Sequence, residues 1–143
     1  MECKRIVLDT SVIVAAFRSR KGASNKLLQL VAGGRFRPLV ATALFLEYES
    51  VLLRAEHRIV TGMSEADVAG ALAALASACD PVDVHFRWRP QLTDPSDEFV
   101  LETAVNGRAV ALITHNIRDF AAASKRFGLR VLTPQECLME ISK

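Results

Sequence analysis

The sequence predicts an α/β fold, a parallel sheet covered by helices on both faces (an α/β/α sandwich). Strand-length apolar runs alternate with stretches of helical periodicity along the whole chain. The strand runs are continuously apolar rather than alternating, the pattern of strands buried on both faces. The 143 residues are 50% apolar and 24% charged, which fits a single domain over 1–143 with a core that needs no disulfides.

Taken in order, KRIVLD (4–9) reads as a buried strand ending on an acid, and SVIVAAF (11–17) runs on into a basic polar turn. SNKLLQLVA (24–32) has helical spacing, with Ser24 as N-cap and Gly33-Gly34 as the stop. FRPLVA (36–41) is a second strand, and 42–57 a long helix capped by Thr42. SEADVAGALAALASA (64–78) is alanine-rich and opens on Ser64 with Asp67, a helix start. VDVHF (82–86) alternates like a strand, and RWRPQLTDPSD (87–97) is a loop. A helix over 97–107 stops at Gly107, AVALIT (109–114) is a buried strand, and FAAASKRFG (120–128) a short helix. LRVLT (129–133) is the last strand, and Pro134 opens a final helix.

Bulk properties exclude several classes. No apolar stretch approaches the roughly 20 residues of a membrane span, and the N-terminal MECKRIVLDT has no secretory pattern. Cys3, Cys79 and Cys137 are odd in number and dispersed, which reads as inert thiols in a reducing cytoplasm and not as a thiolate metal site. A net charge of +2 and pI of about 8.6 are too mild to signal nucleic-acid binding alone. Basic residues nevertheless cluster at Arg18, Arg20 and Lys21, at Arg35 and Arg37, at Arg87 and Arg89, and at Lys125 and Arg126.

Ligand sites in open α/β sheets form beyond the carboxyl ends of the strands. Asp9 closes the first strand, Asn116 and Asp119 follow AVALIT, Glu47 lies in the helix after FRPLVA, and Asp97 begins the helix leading into AVALIT. One end of the sheet can thus gather four carboxylates, an arrangement that is unfavourable without a counter-charge. Oxygen donors without His or Cys select Mg²⁺ or Mn²⁺ over Zn²⁺, and magnesium held by carboxylates generally serves phosphate chemistry. Each acid also has a plainer role: Asp9, Asp94, Asp97 and Asp119 all suit helix N-termini. Glu47 and Glu49 point about 200° apart on their helix, and periodicity does not choose between them. The chain has no phosphate-cradling glycine loop, and His57, His85 and His115 lack metal-ligand spacing.

These blocks resemble the PIN-domain family. VLDTSVIV (7–14) is similar to its opening strand and first acid, ALFLEYESVL (43–52) to the helix carrying the second, DEFVLETA (97–104) to the third, and ALITHNIRDF (111–120) to the fourth. The spacing of DPSDEFVLETA and THNIRDF resembles the VapC-like branch, toxin components of type II toxin–antitoxin systems. The resemblance implies a cytoplasmic Mg²⁺- or Mn²⁺-dependent endoribonuclease that cleaves RNA phosphodiesters with a metal-activated water, is neutralised by an antitoxin and forms a homodimer. Its register selects Glu47 beside Asp9 and Asp97 as metal ligands, with Asp119 completing the shell. Ser11 and Thr114 would hold a ligand or phosphate oxygen, and Arg18, Arg20 and Lys21 the RNA backbone. Many PIN domains carry aspartate where Asn116 stands here, which leaves Asp119 to supply the fourth charge, with Asp94 as a possible compensation, and weakens a second metal site more than the first. An RNA-processing PIN nuclease without an antitoxin and a catalytically inactive PIN-like interaction module are the alternatives. Tyr48, Phe36, Phe45 and the 64–78 helix are candidates for apolar partner contacts, against core packing.

Overall fold

β1 (Lys4–Leu8) is the central strand of the sheet in this computed structural model, which describes residues 4–86, 92 and 94–141. Cys3, Arg87 and Arg89 lie outside the described residues. β1 pairs with β2 (Phe36–Val40) on one side and β4 (Ala111–Ile113) on the other. β3 (Asp80–Pro81) and β5 (Val131–Leu132) form the edges, giving the order β3-β2-β1-β4-β5 with every pairing parallel. Successive strand side chains point to opposite faces, and Ile6, Val7 and Leu8 are all buried. Both faces of the sheet are therefore covered, as the apolar runs predict.

α1 (Thr10–Arg18) starts immediately after β1 and buries Val12, Ile13 and Ala16. The run SVIVAAF is thus a helix in its own right. α2 (Ala23–Ala32) begins from Gly22, so Ser24 sits inside the first turn and does not cap it. α3 (Thr42–Leu52) and α4 (Ala55–Thr61) replace the single helix expected over 42–57. The chain breaks at Leu53 and Arg54, where Arg54 takes an extended conformation as the N-cap of α4. Thr42 is the first helical residue, and Ala41 occupies the cap. α5 (Glu65–Ala78) opens on the expected capping box between Ser64 and Asp67. α6 (Pro95–Asn106), α7 (Ile117–Phe127) and α8 (Pro134–Ile141) complete the fold.

The alternating segment 82–86 is not a strand. Val82 N–H donates to the Val40 carbonyl at 2.9 Å, and the chain then leaves the sheet. Asn106 takes over: its side-chain oxygen accepts from the backbone N–H groups of His85 and Phe86, and its amide donates to the Phe86 carbonyl, each at 3.0 Å. Backbone groups satisfied by a side chain need no ladder. Gly107 follows Asn106 where α6 turns towards β4, and a Cβ there would lie 2.9 Å from Leu39, Val82 and the Thr103 carbonyl.

Tyr48 and Phe36 belong to the core, at 2% and 3% exposure, while Phe45 is half-buried. Val68, Leu72 and Leu75 give α5 an inward face. The large apolar side chains left open on α3 and α4 are Leu46, Ile59 and Val60. Cys79 and Cys137 are free and buried, and burial pushes each thiol up to about 11. Among the described residues no single helix is long and apolar enough to cross a membrane.

Candidate active site

The sheet reverses direction of connection between β1 and β4, and the crevice at such a switch point is the natural ligand site of an open α/β sheet. Asp9 leaves the end of β1, and Thr114, His115 and Asn116 leave the end of β4. The Asp9 N–H donates to the Ile113 carbonyl at 2.8 Å, which locks the two strand ends together.

Asp9 is 5% exposed. Its Oδ2 accepts from Ser11 Oγ at 2.8 Å and from Thr114 Oγ1 at 2.7 Å. Both hydrogen bonds converge on one oxygen, and among the described residues none reaches Oδ1. Although Asp9 occupies the N-cap of α1, its side chain makes no capping bond. Thr114 is fully buried and also accepts the Asn116 N–H at 2.9 Å. It therefore orients the acid and the following loop. Ser11 both holds Asp9 and borders the cleft.

The cleft has a volume of about 240 Å³, and its walls include Asp9, Glu47, Asp94, Asp97 and Asn116. Glu47 arrives from α3 because Tyr48, its neighbour, is buried with its hydroxyl donating to the Leu8 carbonyl at the end of β1. Burial first, then Cys79 and Asp9, raises the Tyr48 pKa well above that of an ordinary phenol, so it stays a donor. Glu49 points to solvent and is not part of the wall. Asp94 caps α6, accepting the Ser96 N–H at 2.9 Å. Asp97 lies in the first turn of α6, half-buried. Its pKa is pushed up to about 7, chiefly by burial, then by the charges of Asp9, Asp94, Asp119 and Glu98. Asp119 sits exposed in the first turn of α7 and acts on Asp97 through its charge without bordering the cleft.

Arg54 also borders this cleft, and the sequence reading did not single it out. In the single helix expected over 42–57, Glu47, Val51 and Arg54 are spaced i, i+4, i+7 on one face. All three do line the wall, although Arg54 lies past the end of α3 in an extended conformation. That spacing was the available signal. The Arg18, Arg20 and Lys21 group is exposed at the end of α1, and only Arg18 reaches a neighbouring groove.

The donor set fits a hard cation: carboxylates, a side-chain amide and hydroxyls, with neither thiolate nor imidazole in the wall among the described residues. Among the described residues no three His, Cys, Asp or Glu converge as a ready-made cage. Magnesium needs none, since it usually keeps several waters and takes one or two carboxylates.

Fold and site together define a parallel α/β domain with an acid-walled cleft at its switch point. The chain belongs to the PIN domain family, whose model matches residues 5–118 and whose nuclease members generally use divalent metal ions. No curated protein matches by sequence. Among solved structures, the chain resembles VapBC2 from Rickettsia felis bound to a DNA fragment from its promoter, with a TM-score of 0.61, 15% identity, and 90% of this chain and 98% of that one covered. DNA-bound VapBC from Salmonella typhimurium gives 0.62 and 13%, with 92% and 98% covered. FitAB bound to the IR36 DNA fragment gives 0.56 and 18%, with 90% and 94% covered. At these identities the likeness is one of fold.

Proposed function

We propose that the protein is a Mg²⁺- or Mn²⁺-dependent endoribonuclease acting from the acidic cleft, and the toxin of a toxin–antitoxin module. The observation that carries this reading is the crowding of carboxylates around Asp97. With its pKa raised to about 7 by burial and four neighbouring acids, the cleft holds more negative charge than it stabilises alone. Asp9, Glu47 and Asp97 are the proposed ligands, with Asp119 contributing charge from outside the cleft wall. A divalent cation bound there supplies neutralisation and Lewis-acid activation of water and phosphate.

The chain's own groups set the geometry. Ser11 and Thr114 fix the Asp9 carboxylate with Oδ1 left for the cleft. Asn116 adds a neutral oxygen to the wall, so the charge supports one cation better than two. Arg54 stands where it can take an RNA phosphate by charge-assisted hydrogen bonds. Arg18, Arg20 and Lys21 extend this cationic edge along the phosphate backbone. The antitoxin and the homodimer are proposed from the VapC-like motifs and the VapBC and FitAB folds. The exposed apolar side chains of α3 and α4 are the surface offered for one of them.

Cleavage of defined RNAs by wild type and by Asp97→Asn, each with Mg²⁺, Mn²⁺ or EDTA, tests the reading. Cation-dependent cleavage lost in the variant is the expected result. Equal cleavage in all conditions would mean a contaminant, and Mn²⁺ binding unaffected by Asp9→Ala would remove the site.

A further inference from the structure

A second depression opens directly beside the acidic cleft and shares Thr10, Ser11, Val51 and Asn116 with it. It is larger, about 500 Å³, and its character is different. Val14, Ala15 and Val51 give it an apolar floor, and Arg18, His57 and His115 stand at its edge. Among the described residues no carboxylate lines it.

His115 is held in place. Ser24, 2% exposed in the first turn of α2, meets its Nε2 at 2.8 Å. The backbone N–H of His115 donates to Ser11 Oγ at 3.3 Å, the same hydroxyl that holds Asp9. A buried serine that orients an exposed imidazole fixes a flat ring at the edge of the groove. Arg18 ends α1, and among the described residues neither it nor Arg20 nor Lys21 makes an ion pair.

We propose that this groove seats one unstacked nucleotide of single-stranded RNA next to the scissile phosphate. The base lies over Val14, Ala15 and Val51 with His115 as its stacking partner, and Arg18 takes the adjoining phosphate. The inference rests on the ribonuclease reading of the acidic cleft and names the substrate form that cleft accepts. Three observations favour this occupant. The groove is continuous with the acidic cleft, so the chain on one side of the scissile phosphate must pass over it or leave the surface. An apolar floor with a planar ring suits a base exposed on its faces, which duplex RNA does not present. Arg18 complements a phosphate directly, whereas the carboxylates of the acidic cleft need a bound cation to do so.

The test uses the full chain carrying Asp97→Asn in Mg²⁺, with a short single-stranded RNA containing 4-thiouridine. Photocrosslinks mapped by mass spectrometry are expected on α1, α4 and the loop around His115. By fluorescence anisotropy, adding His115→Ala or Ala15→Glu should weaken binding about 10-fold, the scale of one base stacked on an aromatic ring. Lys125→Ala, on the far end of α7, should stay within about 2-fold of its parent. Crosslinks confined to other surfaces, or affinity unchanged by both groove variants, overturns the proposal and leaves the groove to a protein partner. The two readings fail separately. Wild type that cleaves RNA while crosslinks fall elsewhere sinks only the groove, whereas groove crosslinks without cleavage in any cation sink only the nuclease.

Discussion

Asp97 shows how much a single position depends on its surroundings. In an unfolded chain its carboxyl titrates near 3.8, and in the cleft near 7. Between those values the folded protein binds a proton that the unfolded chain has released. Stability of the cation-free protein therefore falls as pH rises from about 4 to about 7 and stays low above that. Thermal melts in EDTA across this range should show the decline, and Asp97→Asn should flatten it, raising Tm at pH 8 and leaving pH 4 unchanged. The effect is modest, because a half-exposed group is screened by water. A variant that melted lower than wild type at pH 8 would show that Asp97 is not under repulsion. The same substitution should cost RNA cleavage about 100-fold or more, at least what loss of an outer-shell partner of a metal ligand costs.

At the scale of elements, the break between α3 and α4 and the close approach at Gly107 matter most. The break turns the chain at Leu53, and Arg54, extended beyond α3, still borders the cleft that Glu47 and Val51 line. Arg54→Ala should leave the melt of the protein unchanged and lower kcat/KM on RNA about 10-fold, the worth of one hydrogen bond to a charged group. Unaltered kinetics would remove Arg54 from the substrate path. Gly107 is required for packing rather than for an unusual backbone angle, since a Cβ would press into Leu39, Val82 and the Thr103 carbonyl. Gly107→Ala should cost about 1–3 kcal/mol in urea denaturation, the range for overpacking a core. Little or no loss would mean that β2 and the segment after β3 give way easily.

For the whole molecule, the cleft joins α1, α3, α6 and the β4–α7 loop, so a cation seated there links parts of the chain that are remote in sequence. Binding only the folded state stabilises it, by about 2.7 kcal/mol when free ligand is 100 times Kd. Mn²⁺ should thus raise Tm by several degrees, and Asp9→Ala should abolish the shift while the apo melt remains cooperative. An equal shift in that variant would place the cation elsewhere.

The α/β class and the parallel sheet were legible because burial on both faces writes itself as uninterrupted apolar runs such as IVL (6–8) and ALI (111–113). The Ser64–Asp67 capping box was legible for the same kind of reason: it is complete within four neighbouring residues. The segment 82–86 misled, because its alternation reports local residue order while its hydrogen bonds go to Asn106, some twenty positions away. Ser24 misled likewise: a serine before an apolar run reads as a cap, and its partner is His115 across the fold. By itself, then, the sequence determined the fold class and the positions of the acids along the chain. Only the tertiary structure decided that Glu47 and not Glu49 joins Asp9 in the cleft wall, that Ser11 and Thr114 serve the acid, and that Arg54 shares its cleft. Those facts follow from which surfaces come together when the sheet closes, and no local pattern carries the directions of side chains that meet from separate elements.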